Sequence, residues 1–502
     1  MRHLLIGFIA LLPSALGAMP AAKEKETVEK AARASMPEWA EFLTLPNVTR
    51  RSSAEIRKNA DWAEAAFRRH GFQARQLADG ETPMVFAEWP AASPTKKTIL
   101  FYAHMDGQGV DPKEWDQPSP FTPTLKRRGS DGKWDVLPID QLPRAERDWR
   151  LFARSSADDK APIMMLMAAM DGMKAFGRTP AINVKIILDS HEEAGPPTLK
   201  DVVARNADLL KADAVVMLDG PMHATNRPTI VFGHRSGAGF TLTVFGARSE
   251  LHSGHYGNFV PNPAQRLAAL IATFKDDDGR VLIPGFYDGV TFSPEMKKAL
   301  AAVPDDEAAI RARVGIAASE KVGENYEESL NYPSLSIIAM KSADVDNRRT
   351  IIPDSATAMF DARTVPATPG DRQVALVSAF VESKGYHLVN GSPTEEERRT
   401  YPKLAAIDAG GGWGKALSTP LDSPVGVWAR AALVKAFGQE PVRIPMMGGS
   451  VPSDPLVAMG VPVLLLPLVN ADNNQHAANE NMRIGNYIDG VQSLYALFSQ
   501  PY

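Results

Sequence analysis

The sequence predicts an α/β protein. A doubly wound, mostly parallel sheet forms its main domain, and a smaller α+β domain is inserted into that domain. Four near-continuous apolar runs lie at 97–103, 184–188, 214–218 and 461–469. Such runs are typical of strands buried on both faces, as they are in a parallel sheet covered by helices. Between residues 232 and 412 the pattern changes to alternating strands in a β-α-β-β-α order, which favours a ferredoxin-like α+β unit.

The other elements follow from periodicity. Helices are predicted at 23–45 and 53–71, the second with Ile56, Ala60 and Phe67 on its apolar face. In the inserted domain, strands are predicted at 240–245, 334–340 and 357–361, and helices at 262–274 and 373–385. Two stretches, 108–149 and 302–332, are predicted to be long loops, and the triple glycine at 410–412 is interpreted as a return hinge. We therefore place the main domain at 23–231 and 413–502 and the inserted domain at 232–412.

Composition narrows the functional classes. The chain has 502 residues and a formal net charge of -4, so it lacks the basic character of a nucleic-acid-binding protein. It contains no cysteine, which excludes disulfides, thiolate ligands and cysteine nucleophiles. Any metal site must therefore use His, Asp and Glu, a set that suits zinc, with cobalt or manganese as alternatives.

The first residues have the layout of a secretory signal peptide. A short basic start, Met1-Arg2-His3, precedes the apolar stretch 4–12, and Ala15-Leu16-Gly17 offers a small-x-small cleavage site. We expect residues 1–18 to be a signal peptide and the protein to be exported, periplasmic or secreted. No later run reaches the roughly 18 apolar residues of a membrane span, so no stable span is expected.

Candidate metal ligands follow the four apolar runs. In chain order, the residues after the runs are His104 with Asp106, Glu192 with Glu193, Asp219 and His476. A further candidate, Asp158, lies in a loop just before an apolar helical segment. The carboxyl ends of parallel strands open into one crevice, so residues spread over the chain should meet there. A single histidine or aspartate at a strand end is usually structural. Two histidines and three carboxylates that all lie at strand ends or in their loops are much harder to explain as structural residues.

The residue types fit a site for two divalent ions. Such a pair needs roughly five protein ligands, one of them a bridging carboxylate, and it lowers the pKa of a bound water. A neighbouring carboxylate outside the ligand set then moves the proton. Adjacent side chains diverge, so we assign Glu193 to the metal and Glu192 to proton transfer. Asp106 is expected to orient the His104 imidazole.

At these residues the chain resembles the M20 metallopeptidases and, within them, the carnosinase-like dipeptidases. The matching segments are AHMD (103–106), SADDK (156–160), HEEAG (191–195), MLDG (217–220), ELHSGHYG (250–257), IPGFYD (283–288), TIIPDSATAMFDAR (350–363), GGSVP (448–452) and QHAANE (475–480). They occur in the family's order over nearly the whole mature chain.

The resemblance implies a role for each ligand. One metal would be held by His104 and Asp219 and the other by Glu193 and His476, with Asp158 bridging them. Glu192 would be the general base.

It also implies roles outside the metal set. The inserted domain would serve as a lid and form a homodimer, sending His252 into the partner's active site. Arg363 would bind the terminal carboxylate of a small peptide substrate, and Gly449 and Ser450 would belong to a substrate loop.

One departure and two alternatives remain. The family usually has Gly-Arg-Gly before the bridging aspartate, whereas this chain has Ala153-Arg154-Ser155. The same chemistry would serve an N-acyl-amino-acid amidohydrolase, and a non-catalytic binding protein could share the fold. A serine hydrolase is disfavoured because there is no G-x-S-x-G motif.

Overall fold

The computed structural model describes residues 18–49, 51–78, 80, 82–90, 93–194, 198–412 and 414–502. The predicted signal peptide therefore lies outside the described residues except for Ala18, where the first helix begins. None of the described helices combines the length and the apolar character needed to cross a membrane.

The first segment alternates strands and helices. Its strands are β1 (Gln73–Leu77), β2 (Met84–Glu88), β3 (Thr98–His104), β4 (Thr124–Arg128), β5 (Trp134–Leu137), β6 (Arg150–Phe152), β7 (Asn183–Asp189), β8 (Ala214–Met217) and β9 (Thr229–Val231). Its helices are α1 (Ala18–Leu43), α2 (Ser53–Arg69), α3 (Lys160–Ala175), α4 (Thr198–Arg205) and α5 (Ala207–Leu210). Helix α2 begins where the Ser52 side chain accepts the Glu55 N–H, a standard N-cap.

The second segment corresponds to the predicted insertion. Its strands are β10 (Gly233–His234), β11 (Ser236–Phe245), β12 (Leu251–His252), β13 (Ser334–Lys341), β14 (Ile351–Ile352), β15 (Ser355–Thr364), β16 (His387–Leu388) and β17 (Leu404–Gly412). Its helices are α6 (Ser253–Tyr256), α7 (Pro263–Ile271), α8 (Pro294–Ala301), α9 (Glu307–Val314), α10 (Tyr326–Leu330), α11 (Gly370–Ser383) and α12 (Glu395–Thr400).

The third segment returns to the main sheet. Its strands are β18 (Leu417–Ser418), β19 (Val442–Ile444), β20 (Val463–Leu465) and β21 (Asn481–Arg483). Its helices are α13 (Pro424–Phe437), α14 (Asp454–Val457) and α15 (Ile484–Ser499).

The main sheet has eight strands in the order β1-β2-β7-β3-β8-β20-β9-β19. The four adjacent strands β7, β3, β8 and β20 are parallel, and they are the four apolar runs of the sequence. Antiparallel pairs flank them on both sides, at β2 with β7 and at β20 with β9. The predicted fold class is therefore confirmed, with a parallel centre and mixed edges.

Alternate residues of β3 point into two different cores. Phe101 packs with α1, α3 and α15 on one face, whereas Tyr102 packs with α4 on the other. Burial of each such side chain stabilises the fold by roughly 1.5–3 kcal/mol. Helices therefore cover both faces of the sheet, which explains why its central strands are apolar throughout.

The inserted segment forms its own five-stranded sheet, ordered β13-β15-β11-β17-β16. Strands β13, β15, β11 and β17 are antiparallel neighbours, and α7 and α11 pack on the sheet. This β-α-β-β-α-β arrangement is the predicted ferredoxin-like unit. The exact boundaries at 232 and 412 stay a prediction.

Three loop predictions differ from the structure. The stretch 108–149 contains β4 and β5, which join β6 and β21 in a four-stranded sheet. The stretch 302–332 contains the short helices α9 and α10. The glycines 410–412 continue β17 instead of forming a hinge, because that strand pairs with β11 as far as Gly412. Charged and proline-rich sequences concealed the short elements in both predicted loops.

Candidate active site

The candidate ligands lie at the carboxyl end of the parallel strands. His104 is the last residue of β3, and Asp219 follows β8 by two residues. Glu192 and Glu193 form a 3-10 turn just after β7. Two loops complete the group: Asp158 lies just before α3, and His476 lies between β20 and β21. The predicted convergence at the crevice of the sheet is thus present in the structure.

Asp158 occupies the middle of the group. Its Oδ1 lies 2.9 Å from His104 Nε2, and its Oδ2 lies 3.2 Å from His476 Nε2. His476 Nε2 is also 3.3 Å from Glu193 Oε2. Two sets of potential ligand atoms each fit within 4.8 Å, namely His104 with Asp158 and Asp219, and Asp158 with Glu193 and His476. Only Asp158 belongs to both sets, the arrangement expected of a bridging carboxylate.

Crowded negative charge shows that this donor set suits cations. Burial and the nearby Asp158 raise the pKa of Glu193 to about 8. Burial likewise raises the pKa of Asp219 to about 6, and it holds the pKa of Glu192 well above its ordinary value. Imidazole nitrogens and carboxylate oxygens are ligands of zinc, cobalt and manganese. The residues therefore fit two adjacent divalent ions.

Asp106 connects the two halves of the site. It is fully buried, and its Oδ1 lies 3.4 Å from His104 Nδ1. The same carboxylate accepts the backbone N–H of Glu192 at 3.1 Å and that of Glu193 at 3.0 Å, and its Oδ2 also accepts the hydroxyl of Thr49. Asp106 thereby orients the imidazole and fixes the turn that separates the two glutamates.

Glu480 is a functional residue that the sequence interpretation missed. Its buried carboxylate accepts the backbone N–H groups of Ser155, Ala157 and Asp158, and it pairs with Arg154 at 2.8 Å. It lies in the matched segment QHAANE, yet nothing local to that segment indicates a partner more than 300 residues away. Glu480 joins the loop of Asp158 to the loop of His476.

Gln108 was missed as well. Its side-chain amide donates to Glu193 Oε2 at 2.7 Å, from the stretch that was predicted to be a loop. The departure from Gly-Arg-Gly removes no ligand, because Ser155 adopts the left-handed conformation (φ 59°) that a glycine would favour. Its N–H still reaches Glu480.

The remaining candidate residues lie outside the ligand cluster. His252 is exposed at the junction of β12 and α6, with its ring 4.6 Å from that of His255. Arg363 lies on β15 and donates to Asp361 at 2.9 Å. Gly449 is exposed, and the Ser450 hydroxyl donates to the carbonyl of Arg235. The roles predicted for His252, Arg363, Gly449 and Ser450 therefore stay predictions.

Comparisons with known proteins agree with this geometry. Beta-Ala-His dipeptidase of Homo sapiens is 28% identical over 439 residues, which cover 84% of this chain and 79% of that protein. Cys-Gly metallodipeptidase dug1 of Schizosaccharomyces pombe is 26% identical over 431 residues, covering 82% and 81%. The crystal structure of Sso-CP2, an M20 family metallo-carboxypeptidase of Sulfolobus solfataricus, has a TM-score of 0.71 at 25% identity and covers 92% of this chain and 98% of that one.

The model of peptidase family M20/M25/M40 matches residues 100–500, which include all five candidate ligands and Glu192. Because the match spans most of the sequence and the fold agrees with it, the chain belongs to peptidase family M20/M25/M40.

Proposed function

We propose that this protein hydrolyses the amide bond of dipeptides or short peptides at a site for two divalent metal ions. The observation that carries the proposal is Asp158, which lies between His104 and His476 with Glu192 beside the cluster. The dipeptidase names of the two relatives described above support dipeptides as the substrate class.

The protein groups divide the work. Bound metal ions would polarise the scissile carbonyl and activate water. Glu192, outside both ligand sets, would accept the proton of the attacking water and deliver it to the leaving amine. Burial raises the pKa of the Glu192 carboxyl, which makes its carboxylate a stronger base. Arg363 would bind the substrate carboxylate through its planar guanidinium.

We further propose zinc as the native metal, with cobalt or manganese as alternatives. Two imidazoles and three carboxylates, with no thiolate available in the sequence, favour this group of ions. His476 is 53% exposed at its side chain, so the cluster opens to solvent on that side and leaves a path for ions and substrate.

A homodimer through the inserted domain is also proposed. Strand β13 is at the edge of its sheet, and its residues Ile337, Ile338 and Met340 expose about half or more of their surface. An exposed apolar edge strand offers unpaired backbone groups with which another chain can pair. His252 would complete the partner's site across this dimer.

We propose export to the periplasm or outside the cell from the N-terminal pattern and the composition. The basic, apolar and small-residue regions of 1–18 support it, as does the lack of cysteine.

The purified protein can test the proposed activity directly. We expect hydrolysis of a dipeptide panel, loss of activity with a chelator, recovery with added zinc, cobalt or manganese, and about two bound ions per subunit by metal analysis. Activity only on N-acetyl amino acids would instead identify an acyl-amino-acid amidohydrolase. Metal-bound protein without activity on either panel would refute the proposal.

A further inference from the structure

Arg235 is a buried cation without a full set of partners. Only 7% of this residue is exposed, and its Nη2 donates to Ser334 Oγ at 2.5 Å. Its Nε has no hydrogen-bond partner within the described part of the chain. Buried guanidinium groups normally bind carboxylates or other acceptors through several of their five N–H groups, so this arrangement is incomplete.

The nearest charges do not complete it. The Arg363 guanidinium lies close enough that, after burial, it is the main influence that lowers the pKa of Arg235, to about 10. Among the described residues, the carboxylate beside both arginines is Asp361, which already accepts from Arg363 Nε. The other oxygen of Asp361, Oδ1, also lacks a partner among the described residues. Within the described part of the chain, two guanidinium groups therefore face the single carboxylate of Asp361, which leaves one positive charge in excess.

Backbone contacts connect Arg235 with segments next to the metal centre. The Arg235 N–H donates to the carbonyl of Met447, and the Arg235 carbonyl accepts from Ser450. The Met447 sulfur lies 3.7 Å from where a side chain at Gly220 would begin, and Gly220 follows the ligand Asp219. Backbone contacts thus hold Arg235 between the predicted substrate loop and a strand end that carries a ligand.

We propose that Arg235 is a second substrate-binding residue, which joins Arg363 in taking the terminal carboxylate of the peptide. The inference rests on the proposed function and deepens it. Two neighbouring planar guanidinium groups can each form charge-assisted hydrogen bonds to one carboxylate. Such a carboxylate would give the Nε of Arg235 an acceptor and offset the excess positive charge. A neutral peptide amide would leave that charge buried and uncompensated.

The test compares a dipeptide with its C-terminal amide. In Arg235→Met we expect kcat/KM for the dipeptide to fall about 10- to 100-fold, mostly through KM, with less than about threefold change for the amide. Arg235→Lys keeps the charge and should recover part of the loss. The matched control is Arg443→Met, on the exposed side of β19, which should leave both substrates unaffected.

Binding gives a readout that does not depend on turnover. With Glu192→Gln as the parent, calorimetry should show weaker binding of the dipeptide after Arg235→Met and unchanged binding of the amide. Equal losses on both substrates, or no loss on either, would overturn the role of Arg235. If Arg235→Met does not fold, Arg235→Lys decides: a reduced preference for the free acid over the amide, through a raised KM for the acid, supports the proposal, and an undiminished preference overturns it. If the protein with no substitution hydrolyses neither substrate, the proposed function itself is refuted.

Discussion

At the level of single residues, the proposed chemistry depends on Glu192, a carboxylate that belongs to neither set of potential metal ligands. Glu192 and Glu193 are neighbours in sequence, and Asp106 binds the backbone N–H of both. Their side chains therefore leave the same fixed turn in different directions. Glu193 joins the group of Asp158 and His476, whereas Glu192 does not.

This division predicts different outcomes for two matched substitutions. Glu192→Gln should keep the metal content and lower kcat by about two to four orders of magnitude, the usual contribution of a general acid or base. Glu193→Gln should lower the metal content as well, since it removes a ligand. Metal analysis and steady-state kinetics of both variants check this. Retained turnover in Glu192→Gln would exclude it as the base.

Glu480 leads to a stability prediction. Replacing this buried carboxylate by the amide of Glu480→Gln leaves Arg154 uncompensated and puts an NH₂ group against backbone N–H donors. We expect a loss of about 3–5 kcal/mol in the free energy of unfolding, with weaker metal binding, by urea titration and metal analysis. Glu440→Gln, which breaks an exposed pair with Arg430, is the control and should cost less than about 1 kcal/mol. Equal effects would contradict the role of Glu480.

The candidate metal ligands could be predicted from the sequence, whereas two of the residues that hold them in place through hydrogen bonds could not. His104, Asp219 and Glu193 follow apolar strands, so their meeting point could be inferred from the rule for parallel sheets. Glu480 and Gln108 act through hydrogen bonds between distant loops, and such bonds leave no periodic or local pattern. Arg235 was missed for the same reason.

At the level of elements, the apolar runs predicted the four central strands because both of their faces are buried. The strands β4 and β5 were not predicted, since TLKRR and WDVL carry charges and expose much of their surface. Strand β5 pairs with β4, β4 pairs with β6 near residue 150, and β6 in turn pairs with β21, more than 300 residues later.

Three helices of the main domain meet at one histidine. His70 follows α2, and its ring nitrogens lie 2.8 Å from Glu38 on α1 and 2.6 Å from Asp171 on α3. Burial opposes the charged imidazole, but the hydrogen bonds with Asp171 and Glu38 outweigh burial and raise the pKa of His70 to about 9. The charged histidine therefore stabilises the contact between these helices.

This raised pKa predicts a pH-dependent stability. A group with a higher pKa in the folded state contributes fully below its unfolded pKa, near 6.5, and loses its contribution as the pH rises through about 9. Urea unfolding should show that His70→Gln costs on the order of 3 kcal/mol at pH 6 and much less near pH 10. A difference that does not change with pH would contradict this account.

At the level of the whole molecule, the exposed strand β13 predicts where two copies meet. Ile338→Lys should weaken dimerisation by at least about tenfold in sedimentation, because a charge at an edge strand opposes strand pairing. The control is Val136→Lys. It changes a similarly exposed residue on β5, which belongs to the separate four-stranded sheet, and should leave the dimer intact. A monomeric parent would contradict the proposed assembly.

The shared site can be tested by mixing variants. His252→Ala and Glu192→Gln should each lose turnover, because one removes the group sent to the partner and the other removes the base. Mixed dimers should regain part of the activity, since one of their two sites then has both groups. No recovery in verified mixed dimers would show that His252 serves its own subunit or neither.

The position of β20 determines when the main sheet can be completed during synthesis of the chain. That strand lies between β8 and β9, although both precede it by more than 200 residues. A growing chain that has been synthesised only as far as residue 412 contains β8 and β9 but not the strand that lies between them. It also lacks His476 and Glu480. The set of Asp158, Glu193 and His476 can therefore be complete only after residue 476 has been made and its loop has packed beside the earlier strands.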